Sequence, residues 1–173
     1  SPTVTAMTDP HDTPLRALAL EVFDTISARG FTIATAESCT GGLFSGMITD
    51  IPGSSAVLDR GYVTYSNDAK IEMLGVDEAL FEADGPGAVS EEAAEQMAKA
   101  ALQKSSTDIA ISVTGIAGPG GGSEDKPVGL VWIAYSDKHQ TVTRKLQLSK
   151  DRMINIRMAS VAVLNLIRQS LPK

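Results

Sequence analysis

Five of the eight residues from 115 to 122 are glycine (GIAGPGGG), and they follow 108–114 (DIAISVT), a nearly unbroken apolar run of the kind a central strand covered on both faces requires. Each glycine inside a helix costs about 1 kcal/mol relative to alanine, so no crossover helix spans 115–129. The strand before this connector and the strand after it, 130–136 (LVWIAYS), are therefore expected to run antiparallel. A short turn, Asp137-Lys138-His139-Gln140, reverses the chain once more into a strand over 141–148.

Upstream of the connector, strands and helices alternate. Leu15, Leu18, Ala19, Val22, Phe23 and Ile26 fall on one helical face, with Asp12 or Thr13 as cap, Pro14 in the first turn and Gly30 as the stop. The short β-branched run 31–36 (FTIATA) reads as a strand and leads into a helix over about 43–50. The segment 51–55 (IPGSS) is a turn. A second strand covers 60–66 (RGYVTYS); Asn67 or Asp68 then caps a helix through Lys70 to Leu74, closed by Gly75. Ser90, followed by Glu91 and Glu92, opens an alanine-rich helix to about Lys104, and a last helix runs from Arg152 to about Leu171.

This order specifies an α/β fold, a three-layer α/β/α sandwich on a mostly parallel, mixed sheet of five to six strands. One domain over 13–173 is expected, with 1–12 a loose polar tail. If the first three strands are parallel, their C-terminal ends share one edge, where ligands bind open α/β sheets. The double reversal brings the end of the fifth strand to that edge too. Ser38, Lys70, Thr114 and Arg152 converge there by topology alone.

Composition narrows the partners. With 21 Asp+Glu against 15 Lys+Arg the net charge is −6, which argues against a protein that coats nucleic acid or an anionic membrane. Cys39 is the single cysteine, and there are two histidines, so no intramolecular disulfide and no spaced zinc set exists, and a reducing cytoplasm fits best. No apolar run reaches the roughly 20 residues of a membrane helix, and 1–12 has neither the basic start nor the apolar core of a targeting signal. The glycine cluster lacks the Gly-Lys-Ser/Thr of a P-loop and the last glycine of a dinucleotide site, so no cofactor is expected.

Ser38 sits after a strand and before the Gly41-Gly42 pair that opens a helix, where backbone N–H groups can serve an anion or an oxyanion. It reads as a nucleophile or as a plain helix cap; Cys39 is its rival, or a small buried apolar residue. A serine nucleophile needs a base. His11 lies in the tail and His139 in a turn at the far edge, which leaves Lys70 or Tyr65. For Lys70 to act near neutral pH its pKa must fall to about 7–8, roughly 3–4 kcal/mol against the ammonium, which burial or a neighbouring cation such as Arg152 must supply. Arg152 begins a helix, the unfavourable end for a cation, and so reads as an anion ligand or as a surface arginine; Lys126 is a weaker candidate. On the last helix Met153, Ile156, Ala159, Val163 and Ile167 form a core stripe or a dimer surface, and a homo-oligomer, dimer or larger, is expected.

The strings 35–42 (TAESCTGG), 65–70 (YSNDAK), 112–119 (SVTGIAGP) and 126–129 (KPVG), in this order, resemble the CinA C-terminal domain family over about 14–171. The resemblance implies metal-independent hydrolysis of the carboxamide of nicotinamide mononucleotide to nicotinate mononucleotide and ammonia. By position it implies Ser38 as nucleophile, Lys70 as base with Tyr65 in support, and Thr40, Gly41, Gly42, Thr114, Gly115, Gly118 and Arg152 around the substrate. Activities of the larger N-terminal domain of two-domain members do not carry over. The competing expectation is a non-catalytic nucleotide-binding or regulatory module, as the family's competence and damage-inducible naming suggests; a third is an amidase for another small amide.

Overall fold

A computed structural model describes residues 13–173; the expected tail, with His11, lies outside them. The elements are α1 (Pro14–Ala28), β1 (Ile33–Glu37), α2 (Leu43–Thr49), β2 (Leu58–Val63), α3 (Asn67–Leu74), α4 (Glu91–Ser105), β3 (Ile109–Gly115), β4 (Leu130–Asp137), β5 (Thr141–Gln147) and α5 (Arg152–Ser170), with single 3-10 turns at Ser54–Ala56 and Glu78–Phe81. Five strands are hydrogen-bonded in the order β2-β1-β3-β4-β5. β1 pairs in parallel with β2 and β3, while β3–β4 and β4–β5 are antiparallel. The glycine-rich connector thus breaks the parallel sheet where expected.

The pleat sorts side chains by size. On one face Ile33, Ile109, Ile111, Val113, Val131 and Ile133 meet the apolar stripes of α1, α2 and α5. On the other, Ala34, Ala36, Ala110 and Ala134 meet the alanine-rich face of α4, with Met97, Leu74 and Leu80 filling the gaps. Small side chains on both partners let α4 pack close to the sheet, and β3, buried along nearly its whole length, is the central strand that its composition predicts.

The ends of the elements are set by side-chain caps. Thr13 accepts from Arg16 N–H, Ser66 from Ala69 N–H, Ser90 from Ala93 N–H and Asp151 from Ile154 N–H. α3 is therefore capped one residue earlier than Asn67 or Asp68. β2 is also displaced from 60–66 to Leu58–Val63, because the carbonyls of Thr64 and Tyr65 leave the ladder to accept from the ammonium group of Lys70. On α5, Ala159, Val163 and Ile167 are buried as expected, but Met153 is 61% exposed. Among the described residues no helix is long and apolar enough to cross a membrane.

Candidate active site

At the C-terminal end of β1 the chain turns through residues 38–42 into α2. Ser38 N–H donates to the Val113 carbonyl (2.9 Å) and Gly41 N–H to the Ser38 carbonyl (3.0 Å). Gly42 is the helix N-cap at φ 105°, a conformation that favours glycine. The Gly41 N–H is thus spent within the turn, whereas the N–H groups of Thr40 and Gly42 have no acceptor among the described residues. The Thr40 side chain turns to Glu37, to which its hydroxyl donates at 2.6 Å.

Lys70, in the second turn's approach on α3, is 1% exposed. Its Nζ lies 2.9 Å from Ser38 Oγ, 2.8 Å from the Thr64 carbonyl and 3.2 Å from the Tyr65 carbonyl, with no carboxylate among these partners. Burial lowers its pKa from 10.5 to about 8. Burial, and not the charge of Arg152, is the source of this shift. The shift corresponds to roughly 3 kcal/mol. Cys39 goes the other way: buried, with Glu37 nearby, its thiol is pushed up to about 11, which keeps it protonated and a poor nucleophile at neutral pH.

Tyr65 contributes to the pair through its backbone. Its carbonyl accepts from Lys70, and its phenol, 59% exposed, accepts from Arg152 Nη2 at 3.1 Å, with no hydrogen bond to Ser38 Oγ. Arg152 Nη1 donates to the Gly118 carbonyl (2.7 Å), so the guanidinium links the glycine-rich loop to Tyr65. Thr114 Oγ1 donates to the Ala88 carbonyl (2.8 Å) and holds a wall of the site. Gly115 lines the site, but its missing Cβ is required by Val131 Cγ2, which would lie 2.6 Å away. Lys126 reaches the Pro86 carbonyl.

These residues enclose a cavity of about 170 Å³ lined by Ser38, Cys39, Tyr65, Asn67, Lys70, Ala88, Val89, Thr114, Gly115, Ala117 and Arg152. The four side chains expected to converge do so. Two residues flank this site without having been singled out in the sequence. Glu37 is fully buried beneath the turn. Asn155, 1% exposed, donates to the carbonyls of Ala117 (2.9 Å) and Ser149 (3.0 Å) and accepts from Ser149 N–H and hydroxyl, fastening the loop to the start of α5. Its signal was a polar residue one turn before Ala159 and two before Val163, on the buried stripe. His139 borders a separate cavity of about 210 Å³ with Phe31 and Asp108, at the other end of the sheet. Among the described residues no three His, Cys, Asp or Glu side chains group as a metal site.

A family model, the CinA C-terminal domain, matches residues 15–171. A CinA-like protein of Chloroherpeton thalassium is 51% identical over 150 residues, 84% of this chain but 35% of that protein. This chain likewise spans about a third of the length of putative competence-damage inducible proteins from Caldicellulosiruptor. The nicotinamide-nucleotide amidohydrolase PncC of Escherichia coli K12 is 46% identical over 159 residues, 91% of this chain and 95% of that enzyme. Among solved structures, a competence/damage inducible protein from Agrobacterium tumefaciens superposes with a TM-score of 0.83 at 43% identity, covering 91% of this chain and 96% of its own.

Proposed function

This chain belongs to the CinA C-terminal domain family, and from that premise we propose that it hydrolyses the carboxamide of nicotinamide mononucleotide, giving nicotinate mononucleotide and ammonia, without a metal. The observation that carries the reading is the 2.9 Å contact between a serine hydroxyl and a buried lysine that has no carboxylate partner among the described residues; the Escherichia coli relative, matched over 95% of its length, supplies the substrate.

Neutral Lys70 has two N–H donors and one lone pair. With the donors on the Thr64 and Tyr65 carbonyls, the lone pair faces Ser38 Oγ–H. Lys70 takes that proton as Ser38 Oγ bonds to the amide carbon, and the carbonyl oxygen becomes an oxyanion accepting from the Thr40 and Gly42 N–H groups. The ammonium of Lys70 then protonates the amide nitrogen, the C–N bond breaks and ammonia leaves. Water, deprotonated by Lys70, cleaves the acyl-enzyme and regenerates Ser38. Tyr65 supports the pair through its carbonyl.

A cavity of about 170 Å³ is smaller than the roughly 300–1,000 Å³ of sites that enclose a whole drug-sized ligand; it suits the pyridine ring with its amide. The ribose phosphate then extends past Thr114 and Gly115 toward Gly118 and Arg152, beyond which a cavity of about 520 Å³ opens along Gly120, Gly121, Gly122 and Lys150. Exposed Met153, Ile154 and Met158 on α5 support assembly into a dimer or larger, which light scattering reads directly.

Ammonia release from nicotinamide mononucleotide, its riboside and nicotinamide tests the reading. Release from the mononucleotide, with kcat/KM for the riboside lower by about 100-fold through loss of the charge-assisted phosphate contacts, is expected. Tight binding of the mononucleotide without ammonia would establish the non-catalytic module instead, and equal activity on the riboside would remove the phosphate from the recognition.

A further inference from the structure

Glu37 takes no part in the chemistry above, yet it is fully buried, directly precedes Ser38, and has no ion-pair partner among the described residues. Both its oxygens are doubly engaged. Oε1 accepts from the Thr40 hydroxyl (2.6 Å) and Phe44 N–H (3.0 Å); Oε2 accepts from Ser45 N–H (3.0 Å) and the Ser45 hydroxyl (2.7 Å). Because the Ser45 proton goes to the carboxylate, the 2.7 Å contact between Ser45 and Thr35 has Thr35 as donor.

Phe44 and Ser45 are the second and third residues of α2, whose N–H groups an N-cap side chain ordinarily satisfies. The N-cap here is Gly42, which has no side chain and makes no such bond. Glu37 therefore caps α2 from the end of β1, and its carboxylate occupies the positive end of the helix dipole, closing that end to a substrate phosphate. The same carboxylate spans the nucleophile's turn. Within residues 38–42 the backbone is tied by Gly41 N–H to Ser38 and by Leu43 N–H to the Thr40 carbonyl, and the Thr40–Glu37 bond is the side-chain tie across it.

We propose that Glu37 is a positioning residue for the nucleophile: through Thr40 and the start of α2 it fixes the turn that holds Ser38 Oγ against Lys70 Nζ. This rests on Ser38 being the nucleophile. Glu37→Gln keeps the size of the side chain but sets an NH₂ against groups that are themselves donors. Thr40→Val removes one hydroxyl, keeps the shape and leaves the Thr40 N–H in place; Thr40→Ser restores the hydroxyl. The readouts are kcat and KM with nicotinamide mononucleotide, the rate at which a fluorophosphonate labels Ser38, and the melting temperature.

Since a misplacement of about 1 Å costs on the order of 100-fold in rate, Glu37→Gln is expected to lower kcat by roughly 30-fold or more with KM within about threefold. Thr40→Val is expected to lose roughly 5–10-fold in kcat and Thr40→Ser to recover to within about twofold, with labelling falling in proportion. Folded Thr40→Val and Glu37→Gln proteins that keep wild-type kcat and labelling, and differ only in melting temperature, would overturn the proposal. A wild type that is labelled at Ser38 but releases no ammonia from the mononucleotide sinks the substrate reading alone, and the labelling ratios then decide the role of Glu37.

Discussion

Ser38→Ala is expected to abolish ammonia release from nicotinamide mononucleotide, lowering kcat by about 1,000-fold or more while the protein keeps its fold. The fold survives because the Ser38 hydroxyl serves no cap and no core contact: its partners are Lys70 Nζ and, at 3.4 Å, the Tyr65 carbonyl. The backbone of residue 38, tied to Val113 and Gly41, is untouched by the change. Cys39→Ala is the matching control. It replaces a buried thiol held protonated up to about 11 and is expected to keep kcat within about threefold. The pair of variants decides which of two adjacent nucleophiles acts, and full activity in Ser38→Ala would remove serine chemistry from this site. With the wild type, a slowly hydrolysed amide is expected to leave an acyl group on the peptide containing Ser38, read by mass.

The topology was legible because it depends on patterns that survive local error. Alternating periodicities give the layers; the glycines of 115–122 deny a crossover helix and so force the antiparallel step. Ser38, Lys70, Thr114 and Arg152 follow from these, since each lies at or shortly after a strand end that the topology sends to one edge. What was not legible depends on where side chains turn after the strand ends. Tyr65 offers its carbonyl to Lys70 and its phenol to Arg152 because β2 stops at Val63; had it run to Ser66, the carbonyl would have stayed in the ladder. Glu37 looks like a solvated charge at the end of a strand, and its partners come three to eight residues later, folded back by a turn that needs Gly41 and Gly42. A Cβ on Gly118 would lie 2.4 Å from Val128 Cγ1, so close approach there serves the packing of the loop on itself, with Arg152 drawn to the carbonyl that results.

Lys70 makes the second large effect, and its sign follows from burial. Its ammonium pKa is about 8 in the folded protein against 10.5 without burial, and the base in the proposed reaction is the neutral amine. kcat/KM is therefore expected to rise with pH to a plateau above about 8, and to lie roughly 100-fold below that plateau two pH units lower. A flat profile between pH 6 and 9 would exclude Lys70 as base. Lys70→Arg keeps a cation but cannot give up its proton, so it is expected to be inactive at every pH; Lys70→Met, which keeps the stem, is expected to lose activity to a similar extent. Stability moves in the same direction as activity. Between pH 8 and 10.5 the unfolded chain holds a proton on this lysine that the folded protein has released, so unfolding free energy rises with pH across that window. Below pH 8 both states are charged and the burial cost is fully expressed. The difference in unfolding free energy between wild type and Lys70→Met is therefore expected to shift in favour of the wild type by about 3 kcal/mol from pH 7 to pH 10.5, measured by urea melts. Cys39, raised from 9.0 to about 11, titrates in the opposite sense nearby, but it is present in both proteins and largely cancels in the difference. The same burial that makes the lysine a base near neutral pH thus makes it a stability cost at that pH, and if a single group is responsible for both, the kinetic midpoint and the onset of the stability rise must both fall near pH 8.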